Sequence, residues 1–201
     1  MPGARTARPA TTVPYHHGDL RRALIDAAVA TVAAEGTAAV SLRALAATVG
    51  VSHAAPVHHF GDKAGLFTAV ATEGFDLLAD ELTSVWDREH DFLETGVHYV
   101  HFALAHRGYF EVMFRPDLFD TLNADLQRAE ERAFATLRDP VAAGRRGRTA
   151  EGARLAALAS WSTVHGLATL LLSGNLPDTD LTDLAETDAL AREVIAHLQV
   201  I

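Results

Sequence analysis

Histidine is the residue type here that most readily does chemistry: the chain has eleven histidines and no cysteine. His90, Glu94, His98 and His101 recur every three or four positions, so they share one face of a helix. Imidazole and carboxylate in such a row are ligand types for zinc or a similar metal. No H-E-x-x-H accompanies them and cysteine ligands are absent, so the row reads as a polar wall; no metal and no cofactor is expected. A second group, Ser52, His53, Ala54, His58 and His59, has small and polar residues at helical spacing. Hydroxyls and imidazoles beside small side chains suit phosphates and base edges better than catalysis. The chain has no G-x-S-x-G elbow, no glycine-rich phosphate loop and no recognisable carboxylate pair, so it is not read as an enzyme.

The second group depends on the elements that carry it. Leu42, Leu45, Ala46 and Val49 make one apolar helical face, with Ser41 just ahead as an N-cap and Gly50 ending the run in a left-handed turn. Ser52 is expected to cap the next short helix. Two short helices crossed over a tight turn form a helix-turn-helix, whose second helix enters a DNA major groove. A helix over 18–35 precedes them, buried through Leu24, Ile25, Ala28, Val29 and Val32 and stopped by Gly36. Asp62 caps the one that follows.

Residues 15 to about 70 resemble the DNA-binding domain of the tetracycline-repressor (TetR) family, in helix lengths, turn and the closing H-F-x-x-K-x-x-L of His59, Phe60, Lys63 and Leu66. The stretch from Trp161 to Gly166 resembles the W-x-x-V-H-G signature of one class of TetR ligand-binding domain. Members carry Leu then Tyr late in the recognition helix, where this chain has Pro56 and Val57, so that tyrosine's phosphate contact is not carried over. The resemblance implies a homodimeric regulator on a palindromic double-stranded DNA operator; with neither a membrane-span nor a leader pattern in the sequence, it is expected to be soluble and cytoplasmic. It is most readily a repressor released by a small-molecule effector. The alternatives are a DNA-binding regulator without an inducer, an activator, or a helical metal- or ligand-binding protein.

From the resemblance and residue chemistry together, the expected DNA surface is Ser41, Arg43, Ser52, His53, Ala54, His58, His59 and Lys63. Ser41, Ser52 and Lys63 suit phosphates, Arg43 and His53 base edges, and Ala54 a thymine methyl. The expected ligand-site residues are His98, His101, Phe102, Phe110, Met113, Trp161 and His165, histidines giving polar points in an aromatic cavity. The net charge of −9 divides accordingly: five Arg against Asp19, Asp26 and Glu35 leave +2 on residues 1–60, so the remaining 141 carry −11. A basic head and an acidic body fit a protein that presents one end to phosphates.

The remaining pattern is helical throughout, so the chain is expected to be all-α. A flexible arm over 1–14, in which Arg5 and Arg8 are basic, leads to a helix-turn-helix domain over 15–61 and a ligand-binding and dimerisation domain over 62–201. Helices are expected near 62–87, 91–106, 109–114, 117–138, 151–173 and 184–199. A basic loop with Arg145, Arg146 and Arg148 spans 139–150, and an acidic connector spans 176–183. The last two helices, with Leu155, Leu158, Leu167, Leu171, Val194 and Ile195 and the small residues Ala156, Ala159, Gly166 and Ala168, are the expected dimer interface. No uninterrupted apolar run approaches the roughly 18 residues of a membrane span.

Overall fold

A computed structural model of the chain describes residues 17–144, 149–176 and 184–198, with side chains described from 20 to 139, 149 to 176 and 185 to 197. The arm with Arg5 and Arg8, Tyr15, the basic cluster at 145–148 and residues 177–183 lie outside the described residues. The fold is all-α, with no strand among the described residues. Helix α1 (His17–Glu35) ends at Gly36, whose φ of 83° is a glycine conformation, and a short 3-10 turn, Thr37–Ala39, leads on. Helices α2 (Leu42–Val49) and α3 (Ala54–Phe60) follow, then α4 (Lys63–Glu89), α5 (Phe92–Ala105) and α6 (Arg107–Met113). Helices α7 (Ala124–Gly144), α8 (Ala150–Leu172) and α9 (Leu184–Leu198) complete the chain.

Local chemistry sets most of these boundaries. At the end of α2, Gly50 takes the left-handed conformation (φ 77°, ψ 32°), and Gly50 N–H and Val51 N–H turn back to Ala47 O and Ala46 O. That pair of bonds is a Schellman motif, which satisfies the last carbonyls and aims Val51 inward. Asp62 Oδ1 accepts from Gly65 N at 2.8 Å, Asp91 Oδ1 from Leu93 N at 2.8 Å and Thr149 Oγ1 from Gly152 N at 3.1 Å, capping α4, α5 and α8.

Four expectations are corrected. Ser52 does not cap α3: the helix begins at Ala54 after His53, and only the Ser52 backbone carbonyl is engaged, by Ala55 N. Pro56 is the reason, because at the third helical position its missing N–H is one of those a helix start leaves unpaired, and its ring is buried. The helix expected at 117 begins instead at Ala124. Pro116, Asp117 and Asp120 hold a loop, with Asp120 Oδ1 accepting from Leu122 N, and Asn123 Oδ1 then accepts from Asp125 N and Leu126 N. Helix α7 runs on to Gly144, through the stretch expected as a loop. Finally, α8 meets the length and hydropathy of a membrane span, with mean hydropathy 1.5, because scattered Ser, Thr and His interrupt its apolar run without lowering the average much. Its inward face, Ala157, Val164, Leu167, Ala168 and Leu171, is buried in this protein's own core.

Helix α4 is the axis of the molecule. It packs on α5, α6 and α7, while α5 also meets α8 and α9, and α7 meets α8. Leu66, Phe67 and Val70 at its start close the core of α1 and α2 around Leu24, Ile25, Ala28 and Leu45; Leu78 and Leu82 close the second half. Helix α6 lies against both α1 and α4. The contact with α1 is made at Gly108, where a Cβ would stand 2.3 Å from Val29 O. Gly108→Ala should therefore force α6 off α1 and destabilise the fold by about 1–3 kcal/mol, the range of an overpacked core. Thermal unfolding measures this, and an unchanged Tm would show that the two helices separate freely.

Candidate DNA interface and ligand cavity

The helix-turn-helix presents one continuous outer surface. Ser41, Arg43, Ser52, His53, Ala54, Val57 and His58 are exposed, and His59 and Lys63 are partly so. Ser41 stands at the N-cap position of α2 with extended backbone, yet its side chain makes no cap bond, which leaves the hydroxyl directed to solvent. Arg43 has no hydrogen bond or ion pair among the described residues. The other described arginines of the head are engaged: Arg21 lies 5.5 Å over the Phe60 ring, and Arg22 pairs with Asp26 and Glu73. Lys63 sits apart from the rest. Its Nζ donates to Thr37 O at 3.0 Å and lies 5.4 Å from the Phe67 ring centre, so it holds the 3-10 turn against α4. Val57, 51% exposed, is an apolar group on this surface that residue chemistry alone did not select.

A cavity of about 470 Å³ opens between α4, α5, α7 and α8. Its apolar wall includes Phe75, Leu78, Met113, Phe114, Phe134 and Trp161, and its polar groups come from Tyr99, Gln127, Glu130 and Glu131. The floor is a hydrogen-bonded chain. Trp161 Nε1–H donates to Tyr99 Oη at 3.1 Å, and Tyr99 O–H, 3.0 Å from His165 Nδ1, donates onward. Because indole only donates, the phenol's own proton goes to His165, which fixes Nδ1 as the acceptor of a neutral ring. Burial lowers the His165 pKa and raises that of Tyr99, so the network stays uncharged. His165 is packed by Phe114 at 4.4 Å and Phe110 at 5.3 Å between ring centres.

The seven residues expected at a ligand site thus part company. Met113 and Trp161 line the cavity, and Phe110 and His165 stand behind its wall. Phe102 is buried against the His106 ring, and His106 in turn pairs with Glu81 of α4. His98 Nδ1 lies 3.0 Å from Glu94 O of its own helix, while His101 turns toward α9. There Arg192 pairs with Glu94 and Asp188, and His101 Nε2 lies 3.3 Å from Asp188 Oδ1, off hydrogen-bond geometry. Glu94 is thereby held by a guanidinium, and no metal-binding cluster occurs among the described residues. Among the residues that sequence reading missed are Glu130 and Phe134. The signal for both was the stripe Leu126, Ala129, Ala133 and Leu137, which places Glu130 and Phe134 on the margin of the buried face of α7.

Cavity and head are joined through α6. Met113, at its end, lines the cavity. Near its start, Gly108 abuts Val29, and Tyr109 donates to Glu73, which also receives Arg22 of α1. Burial raises the Tyr109 pKa, so its hydroxyl remains a donor.

Comparison with known proteins bears on this geometry. Residues 92–198 match the tetracyclin repressor-like C-terminal domain, and residues 24–70 match the bacterial regulatory proteins of the tetR family. No curated protein matches the chain. Among solved structures, a protein of unknown function from Rhodococcus sp. RHA1 is 32% identical, with a TM-score of 0.73 over 92% of this chain and 97% of that one. A TetR family transcription regulator from Marinobacter aquaeolei VT8 is 21% identical, with a TM-score of 0.63 over 88% and 95% of the two chains. A fatty acid degradation regulator from Bacillus halodurans is 16% identical, with a TM-score of 0.63 over 85% and 97%. The last two share the fold. With its carboxy-terminal match spanning more than half the sequence and its helix-turn-helix matched independently, this chain belongs to the TetR family of DNA-binding transcriptional regulators.

Proposed function

We propose that the protein is a homodimeric, cytoplasmic repressor, released from a palindromic operator when a small molecule enters the α4–α8 cavity. The observation that carries this reading is that one short helix, α6, has an end in the cavity wall and its start against the DNA-binding head. At seven residues it spans roughly 10 Å, so a ligand displacing Met113 and Phe114 bears on Gly108 and Tyr109, and through them on α1. Helix α4, which carries cavity residues and closes the head's core, tilts with it. A coupling of about 1–3 kcal/mol weakens operator binding roughly 5- to 150-fold.

In this reading the head spans 15–61 and the body 62–201. Ser41 and Ser52 meet phosphates, Arg43 and His53 base edges, Ala54 a thymine methyl, and His58 and His59 the flanking backbone. Lys63 contributes a second donor to a phosphate while holding Thr37. That Arg43 has no hydrogen bond or ion pair among the described residues favours it as the principal base contact.

Dimerisation uses the outer face of α8. Leu155, Leu158 and Leu170 are 50%, 39% and 44% exposed, and Ala159, Ser162, Gly166 and Thr169 fall between them on the same side. Ala189 and Ala196 of α9 are exposed as well. An apolar strip with small residues is what two helices per protomer need to pack as a four-helix bundle. Leu167, Ala168 and Leu171, expected at the interface, serve instead in the protomer's own core, at 6%, 0% and 1% exposure.

Three outcomes check the proposal. Arg43→Ala should cost about 1–3 kcal/mol on the operator and relax preference at one base pair in anisotropy titrations; an equal loss on every sequence would make Arg43 a phosphate contact. Leu158→Asp with Leu170→Asp should sediment as folded monomer, whereas a persistent dimer would place the interface elsewhere. A compound whose binding quenches Trp161 should also dissociate operator DNA. Cavity binding that leaves operator affinity unchanged would favour a regulator without an inducer.

A further inference from the structure

We propose that the α4–α8 cavity selects an apolar organic cation, a protonated amine or quaternary onium on an aromatic or bulky body, with its charge beside Glu130. The proposal rests on the reading of this cavity as the effector site and adds the chemical class of its ligand.

The charge balance of the wall carries it. Among the described residues, Glu130 and Glu131 are the charged ones lining the cavity, with no Arg, Lys or His. Glu131 is already matched by Arg138, which also holds Asp139. Glu130 has no hydrogen bond or ion pair among the described residues, and it is only partly exposed. An anionic ligand would meet the carboxylate of Glu130 with no described cation free to pair with it, since Arg138 is taken by Glu131 and Asp139. A neutral one would cover Glu130 and deepen its desolvation without a partner. Burial has already raised the Glu130 pKa, with no other cause. A cation placed there supplies the missing countercharge.

The rings point the same way. Phe75, Tyr99, Phe114, Phe134 and Trp161 bring five aromatic side chains to one cavity, and cations are attracted to the faces of such rings. Phe134, four residues from Glu130 and one helical turn along α7, already accepts a guanidinium: Arg138 lies 5.8 Å from its ring centre. The volume of about 470 Å³ lies within the range of small-molecule pockets.

The test uses three probes of related shape and different charge: tetraphenylphosphonium, tetraphenylborate and neutral triphenylphosphine oxide. Each is titrated calorimetrically into the full-length protein and into Glu130→Gln, whose fold is checked by its Tm. The phosphonium should bind at least about tenfold more tightly than the borate or the oxide. Glu130→Gln should weaken the phosphonium about tenfold and leave the oxide unchanged, and Phe134→Leu should weaken the phosphonium more than the oxide. The proposal is overturned if the borate or oxide binds as tightly as the phosphonium, if Glu130→Gln leaves the phosphonium unaffected, or if no probe binds. Operator release is read separately. A phosphonium that binds through Glu130 without loosening DNA contradicts the effector reading and leaves the cation site standing. Release by the oxide with an inert phosphonium does the reverse.

Discussion

A single apolar core, continuous along α4, is the constraint on which the rest of this structure depends. The 27 residues of that helix extend for roughly 40 Å. Leu66, Phe67 and Val70 at one end share a core with Leu24, Ile25 and Ala28 of α1 and Leu45 of α2; Leu78, Leu82 and Val85 further along are buried in the body. Protein cores are packed as densely as organic crystals and do not bend gradually. In the proposed mechanism, a head joined in this way has no loose seam at which to absorb a displacement arising in the cavity. The seven-residue α6, trapped between α1 and α4, adds a second rigid path of shorter length.

Charge is arranged on the same axis. Residues 61–201 carry −11, a charge that repels nucleic acid, and within the head the described arginines divide their labour. Arg22 is committed to Glu73 and Tyr109, which ties α1 to α4 and α6. Arg21 covers Phe60, and Arg43 faces solvent without a partner among the described residues. The body's acidity also reaches the cavity, where Glu130, without a partner among the described residues, stands beside the aromatic wall.

The helix-turn-helix was legible in sequence because its determinants are local. Gly50 has to be a residue that tolerates a positive φ, Asp62 reaches a backbone N–H three residues on, and the apolar spacing of α2 leaves one face to bury. The cavity was legible only in part, through Met113 and Trp161, for a physical reason. Helix α5 is buried on several sides, with Val97, Tyr99, Val100, Phe102 and Ala103 all at 0–1% exposure, so periodicity cannot say whether His101 or Tyr99 looks into a void. His101 met Asp188 of α9, and Tyr99 met Trp161 and His165. Helix α8 posed the same difficulty, since it carries two apolar faces and only the packing of α5, α7 and α9 tells which is core. The misplaced start of α7 has a plainer origin: Asp120 and Asn123 hold loop backbone through side-chain bonds, and Asp117 is paired with the Arg115 guanidinium, none of which a hydrophobic pattern registers.

The central claim is that filling the cavity moves the two DNA-binding heads of a dimer relative to one another. The chain has no cysteine, so Ala47→Cys, on the exposed side of α2, gives one spin label per protomer. Double electron–electron resonance between the two labels, measured with and without saturating tetraphenylphosphonium, reads the separation of the heads directly. The account predicts a shift of the distance distribution by several ångströms when the cavity is occupied. An identical distribution with calorimetrically verified occupancy would contradict it.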